Sequence, residues 1–253
     1  MEITQQTLPF TPWADPALAR MPGLRPVVGG WIVVDEVYGA QLAAKARLLA
    51  EHRHRVLQVL PRAEDAAGEL LKTVLGDLPS SFQRHGAHVT RPDGVTVGTD
   101  GPPFEVLSRL VQEDLLILER DGAEHILTAG LLCFPASWTL TEKIGRPLTR
   151  IHAPVHRYDA DIALRVQRLF DRVQPGRPMW RANTLGYARA DLFQPMTEAA
   201  PRDPGAAPAR FLRSERQTVM RLPMTGSVVF AVHTWVVPFD RLTPEQQATC
   251  PVL

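Results

Sequence analysis

Apolar residues recur at helical spacing in three places in the first half of the chain. Over 36–50, Leu42, Ala46 and Leu49 form one stripe, and over 63–76 Ala67, Leu70, Leu71, Val74 and Leu75 share a face, so both segments are predicted helices. A shorter helix is predicted over 103–112 from Val106, Leu107, Leu110 and Val111. Between the last two, HVTRPDGVTVGT (88–99) reads as a hairpin turning at Pro92-Asp93-Gly94. The period then changes. Strands are predicted near 114–120 and 124–134, flanking Asp121-Gly122, a pair that tolerates the positive φ of a two-residue hairpin turn. Thr139-Leu-Thr-Glu142 fits a capping box, and Gly145 suits the stop of a short helix. Residues 147–158 are predicted to be a proline-bounded loop. Asp159 or Asp161 then caps a helix whose stripe is Ile162, Val166, Leu169, Phe170 and Val173.

The last third is strand-rich. WRANTLGYA (180–188) and FLRSERQTVMRL (211–222) can each be extended, and the Val-rich SVVFAVHTWVVP (227–238) has strong β composition after a turn at Met224-Thr225-Gly226. Segregated helices and hairpin-linked strands indicate an α+β fold on an antiparallel sheet, as one domain over 1–253. Its first part, 1–80, is an extended arm followed by helices. The stretch 195–209 (PMTEAAPRDPGAAPA), poor in large apolar groups, is predicted to be a mobile internal loop.

Composition acts mainly by exclusion. The chain has 253 residues, 45% apolar and 22% charged, with a formal net charge of +1, so nothing favours a polyanionic partner such as nucleic acid. No run approaches the roughly 18–20 apolar residues of a membrane span. MEITQQTLPF lacks the basic-then-apolar pattern of a signal peptide, so a cytoplasmic protein is expected. Two cysteines, Cys133 and Cys250, cannot build a disulfide framework or a four-cysteine metal site. There is no GxSxG, GxxxxGK[ST], HExxH or strand-linked GxGxxG.

Candidate chemistry concentrates in four places. In IHAPVHRY (151–158), His152 and His156 are four apart, but Pro154 between them forbids a helix interior. With Asp159 or Asp161 they could form a two-histidine, one-carboxylate iron site, one of them could ligate haem, or both could be ordinary loop histidines. Cys133 lies in an apolar strand, where a thiol more often packs as a small core group than ligates haem. In FLRSERQTVMRL, alternation sends Arg213, Glu215, Gln217 and Arg221 to one face, and Ser214, Arg216 and Thr218 to the other. Either one face meets a polar or anionic ligand or the strand is a solvated edge; Arg181 and Asn183 in WRANT add two more polar groups. His233 shares its face with Val229, Ala231, Trp235 and Val237, and is either a hydrogen-bonded core residue or part of a pocket floor.

Several longer motifs occur in a consistent order: MPGLRPV (21–27), QEDLLILER (112–120), AGLLCFPASWTLTEKIGRPLTRIHAPV (129–155), RVQRLFDRV (165–173), WRAN (180–183), RSERQTVMRLPMTGSVVF (213–230) and HTWVVP (233–238). Together they resemble the haem-dependent oxidative N-demethylase family, the α-subunit-like haem proteins related to dimethylamine monooxygenase. The resemblance implies a PAS-like antiparallel sheet holding haem b. It also implies O₂-dependent removal of a methyl group from a secondary amine, with electrons from a separate flavin and iron–sulfur reductase. It marks His152 as the axial iron ligand and Arg213, Arg216, Arg181 and Asn183 as residues facing haem. His233, Glu215 and Thr184 then become the polar groups of the substrate pocket, the candidates for catalytic roles. This chain departs from the family pattern at Thr184, where a tryptophan is usual, at His156-Arg157, where Pro-Gly is, and at His233, where arginine is common. A haem-based sensor or carrier without turnover is the alternative function, and a haem-free binder a third.

Overall fold

The structure, a computed structural model, describes residues 2–18, 23–154, 159–203, 205 and 207–252. It is a mixed α/β fold built on antiparallel sheets. Strands β1 (Arg25–Pro26), β2 (Leu57–Val59), β6 (Asp114–Asp121), β7 (Glu124–Leu131), β8 (Met179–Ala182), β9 (Leu185–Tyr187), β10 (Phe211–Arg221) and β11 (Val228–Pro238) form the main sheet. Its order is β1-β8-β10-β11-β6-β7-β2, with β9 also paired to β10. Strands β3 (Gln83–His85), β4 (His88–Thr90) and β5 (Thr96–Gly98) make a small second sheet. The predicted 88–99 hairpin is its β4–β5 half.

Alternation divides the main sheet into two apolar faces. Leu115, Ile117, Ala129, Leu131, Val229 and Ala231 pack under α1 (Tyr38–Val56), α2 (Glu64–Asp77) and α3 (Pro103–Ser108). Leu116, Leu118, Leu127, Val219, Val228 and Phe230 pack under α4 (Leu140–Lys143), α5 (Leu148–His152) and α6 (Ala160–Arg172). α7 (Pro244–Thr249), which carries a Thr243–Gln246 capping box, closes a smaller cluster with Leu8 and Trp235. A Cβ on Gly130 would come within 2.7 Å of Leu116 and 2.9 Å of Leu140, so the absence of a side chain there is what lets α4 lie on β7. No helix among the described residues is long and apolar enough to cross a membrane.

Several expectations need correction. The predicted 147–158 loop contains the one-turn helix α5. Pro147 stands at its N-cap, where a missing N–H costs nothing, and Pro154 lies past its end, so both prolines fit around a single turn. Residues 155–158 lie outside the described residues, as do Met21 and Pro22. WRANTLGYA is two strands, interrupted where the Asn183 side chain accepts the Glu215 N–H at 2.9 Å. Thr139 and Glu142 form no capping box; the hydroxyl donates straight to the Glu142 carboxylate at 2.7 Å. Gly145, at φ +72°, does end α4. The 195–209 stretch, as expected of a loop, has no helix or long strand among its described residues, and its Glu198 forms ion pairs with Lys143 and Arg150.

A buried polar seam joins the layers where β6 begins. Lys45 of α1, with no exposure, donates to the Glu113 carbonyl at 2.5 Å and the Val111 carbonyl at 3.3 Å, and lies 3.5 Å from Asp114. Asp114 accepts the backbone N–H groups of Cys133 (3.0 Å) and Phe134 (2.6 Å). The Phe134 carbonyl in turn accepts Arg213, a fully buried guanidinium on β10. Burial pushes the Asp114 carboxyl up against the opposing pull of Lys45. Asp114→Ala leaves the Lys45 charge buried with no counter-charge beside it and is expected to destabilise the protein by about 3–5 kcal/mol, read from guanidinium unfolding midpoints.

Candidate functional site

His152 closes the single turn of α5. Its Nδ1 lies 2.9 Å from the Leu148 carbonyl. A carbonyl only accepts, so Nδ1 carries the hydrogen, and in the neutral ring the lone pair falls on Nε2. Burial lowers the pKa, the Leu148 bond opposes that, and the Lys143 charge lowers it further. The net direction is down, which favours the neutral, ligating form of the ring at neutral pH. α5 therefore presents an imidazole fixed in one tautomer.

The other metal hypotheses fare differently. His156 lies outside the described residues. Asp159 caps α6 by accepting the Ile162 N–H at 2.8 Å, and Asp161 pairs with Arg165 at 2.7 Å. Among the described residues, no group of three or more His, Cys, Asp or Glu could hold a metal ion. Cys133 is buried, and burial together with Asp114 pushes its thiol far up, which is the behaviour of a core thiol rather than a thiolate ligand.

Glu215 anchors a polar patch on the sheet face whose Val219 packs in the cluster under α4–α6. It shares that face with Gln217 and Val219, and in register with Thr234 of β11. Its carboxylate accepts Asn183 Nδ2 at 2.9 Å, and Gln217 and Arg213 at 3.3 Å each, while Asn183 Oδ1 takes the Glu215 N–H. Arg213 spends its remaining donors on the Leu192 and Phe134 carbonyls, so it is consumed inside the protein. Arg181, opposite Gln217, differs: its Nε is buried and makes no hydrogen bond within the protein. Thr184 Oγ1 and Thr234 Oγ1 share that condition. Each such atom costs about 1–3 kcal/mol if left unpaired, and Arg216 Nε on the reverse face is in the same condition. Burial lowers the Arg181 pKa, and Glu215 opposes that loss.

The apolar surroundings match. The α6 stripe predicted from Ile162, Val166 and Leu169 is only half-buried, as are Phe230 and Trp138, while Phe170 and Val173 are fully covered. A surface hollow of about 450 Å³, lined by Arg53, Leu57, Val59 and Phe104, contains none of the candidate residues.

His233 and Arg216 stand opposite each other in register on the reverse face of the sheet. The His233 ring bridges two carboxylates, with Nδ1 3.2 Å from Glu113 and Nε2 3.2 Å from Asp35. Arg216 lies over Trp180 at 5.1 Å and donates to the Gly30 carbonyl at 3.3 Å. The sheet thus brings Arg181, Asn183, Arg213 and Glu215 together, with Thr184 next to Asn183, and separates them from Arg216 and His233. Strand alternation in the sequence already placed Arg213 and Glu215 apart from Arg216. It also puts Thr234 on the face away from His233. Asp35 and Glu113 carry no local signal at all, because only the fold brings them to His233.

A family model described as haem-dependent oxidative N-demethylase, alpha subunit-like, matches residues 24–252.

The His233 cluster generates a pH dependence. Burial alone would strip its proton, but the Asp35 and Glu113 carboxylates outweigh burial and hold its pKa above the ordinary value. Stabilisation of this kind is complete below the unfolded-state pKa of about 6.5 and is lost as pH rises through the higher folded-state value. The stability difference between wild type and His233→Gln, measured by chemical unfolding, is therefore expected to be largest near pH 6 and to shrink toward pH 9.

Proposed function

The chain belongs to the haem-dependent oxidative N-demethylase, alpha-subunit-like, family, and from that premise we propose that it binds haem b through His152 and removes an N-methyl group oxidatively from a secondary amine or a related small molecule. The observation that carries the ligand assignment is the His152–Leu148 bond, which puts the lone pair of the ring on Nε2. Arg181 is the residue we assign to a haem propionate. Its buried, unpaired Nε suits a carboxylate, whereas Arg213 is internally satisfied and Arg216 faces the other way. The half-buried α6 stripe and Phe230 supply apolar walls suited to a porphyrin. An antiparallel sheet flanked by short helices, one of which carries His152, supports a PAS-like reading of this haem-binding unit.

Haem, when bound, supplies the iron at which O₂ is activated. The chain's own residues do the rest. Glu215, braced from three sides, presents negative charge that suits a protonated amine. Thr184 and Thr234 contribute hydroxyls that both donate and accept hydrogen bonds, as proton delivery requires. The α6 stripe keeps bulk water from the apolar side. His233, behind the sheet, serves this site by holding β11 against β6 through Glu113. Cys133 and Cys250 are free thiols buried in separate apolar clusters, which supports electrons coming from a separate flavin and iron–sulfur reductase.

Protein expressed with a haem precursor is expected to show a Soret band that His152→Ala abolishes or shifts. Arg181→Leu, which removes one charge-assisted contact, is expected to weaken haem affinity by about ten- to a hundredfold. Formaldehyde release from N-methylated secondary amines, given O₂ and reductant, tests turnover. A stable O₂ complex with no formaldehyde from any such amine would identify a sensor or carrier instead.

A further inference from the structure

Helix α5 is a single turn, too short to hold itself by its own hydrogen bonds, and Leu148 is its one buried residue. What fixes it comes from elsewhere in the chain. Glu198 sits in a turn at Thr197–Ala200, in the stretch between β9 and β10. Its carboxylate takes the Arg150 guanidinium in a two-pronged pair, at 3.0 and 2.9 Å, and Lys143 Nζ at 2.5 Å. Its own N–H is shared by the two oxygens of Glu142, at 3.1 and 3.3 Å. Lys143, almost fully buried, also donates to the Ile151 carbonyl at 2.8 Å, the peptide group immediately before His152. The Arg150 and Lys143 bonds hold the Glu198 carboxyl down at about 2, so its charge persists through the neutral and mildly acidic range.

We infer that Glu198 is the positioning residue for the haem ligand. It neutralises Lys143 so that this lysine can hold the Ile151 carbonyl, and it clamps Arg150, so that α5 presents the His152 ring in one orientation. This rests on the assignment of His152 as the ligand. Glu198 touches neither the ring nor any reacting group; it acts through Lys143 and Arg150. A second attachment keeps the same stretch in place: Arg202 donates to the Gly186 carbonyl and lies 3.8 Å over the Tyr187 ring. A segment poor in apolar groups is thus held by charges, and those charges converge on the helix that carries the ligand.

The test compares Glu198→Gln and Glu198→Asp with wild type in the full chain, with His152→Ala in parallel. Hydrogen exchange over residues 148–152, in protein without haem, reads the helix directly. Haem transfer to an excess of a scavenging apoprotein, together with the ferric absorption spectrum, reads the ligand. Glu198→Gln is expected to speed exchange over 148–152 and haem loss by about tenfold each and to change the ferric spin-state bands. Glu198→Asp, which keeps the charge, is expected to recover much of both. Unchanged exchange over 148–152 in Glu198→Gln overturns the inference whatever the haem does. A His152→Ala spectrum identical to wild type sinks the ligand assignment instead, and with it the role of Glu198 toward haem, while the exchange result still decides its hold on α5. If Glu198→Gln does not fold, Arg150→Met removes the exposed arm of the same cluster, and wild-type exchange and haem loss in that variant count against the inference.

Discussion

A fully buried guanidinium, Arg213, is the constraint around which the rest is arranged. A buried cation is tolerated only where fixed acceptors surround it, and here they come from three places: the Leu192 and Phe134 carbonyls and the Glu215 carboxylate. Satisfying Arg213 fixes the turn after β7 through Phe134, the stretch after β9 through Leu192, and the Glu215 carboxylate on β10 itself. Phe134 passes the requirement on through Asp114 to Lys45 of α1. The helical layer on one side of the sheet and the polar patch on the other are therefore consequences of the same buried charges.

That arrangement explains why the patch has polar atoms to spare. Glu215 is committed to Arg213, Asn183 and Gln217, so Arg181, Thr184 and Thr234 are not drawn inward to serve it. One arginine immobilises a carboxylate, while the Nε of another makes no hydrogen bond within the protein. On the reverse face, Asp35, His233 and Glu113 form a second hydrogen-bonded group, which ties the residues before α1 to the start of β6. One strand, β10, with its partner β11, thus separates the Glu215 patch from the His233 cluster.

Much of this was legible in the sequence, and what was not has physical causes. Elements with strong periodicity, such as α2, α6 and the β6–β7 hairpin at Asp121-Gly122, stand where their patterns put them. The period-2 reading of 211–222 also assigned its side chains to the correct faces. α5 was illegible because two prolines read as loop, although each occupies a position where a single helical turn accepts it. The burial of Lys45 was illegible because a charged residue is buried only where remote partners meet it, and those partners lie 66 and more residues away. The same holds for Glu198, whose surroundings in sequence suggest nothing beyond a flexible loop.

The edge of β11 carries a consequence for how the molecule can be divided. Past Val232, β11 no longer pairs with β6, and Gln5 of the arm takes over. Its backbone donates to the Val236 carbonyl at 3.0 Å, its side-chain oxygen accepts the Val236 N–H at 2.8 Å, and its amide reaches Asp35 at 2.8 Å. One glutamine thus does the work of a neighbouring strand, and it lies well before residue 24, where the family match begins. The span that defines the protein by kinship is therefore shorter than the span that completes it mechanically. A piece cut at the boundary of kinship would carry an open strand edge beside the carboxylate-bridged His233.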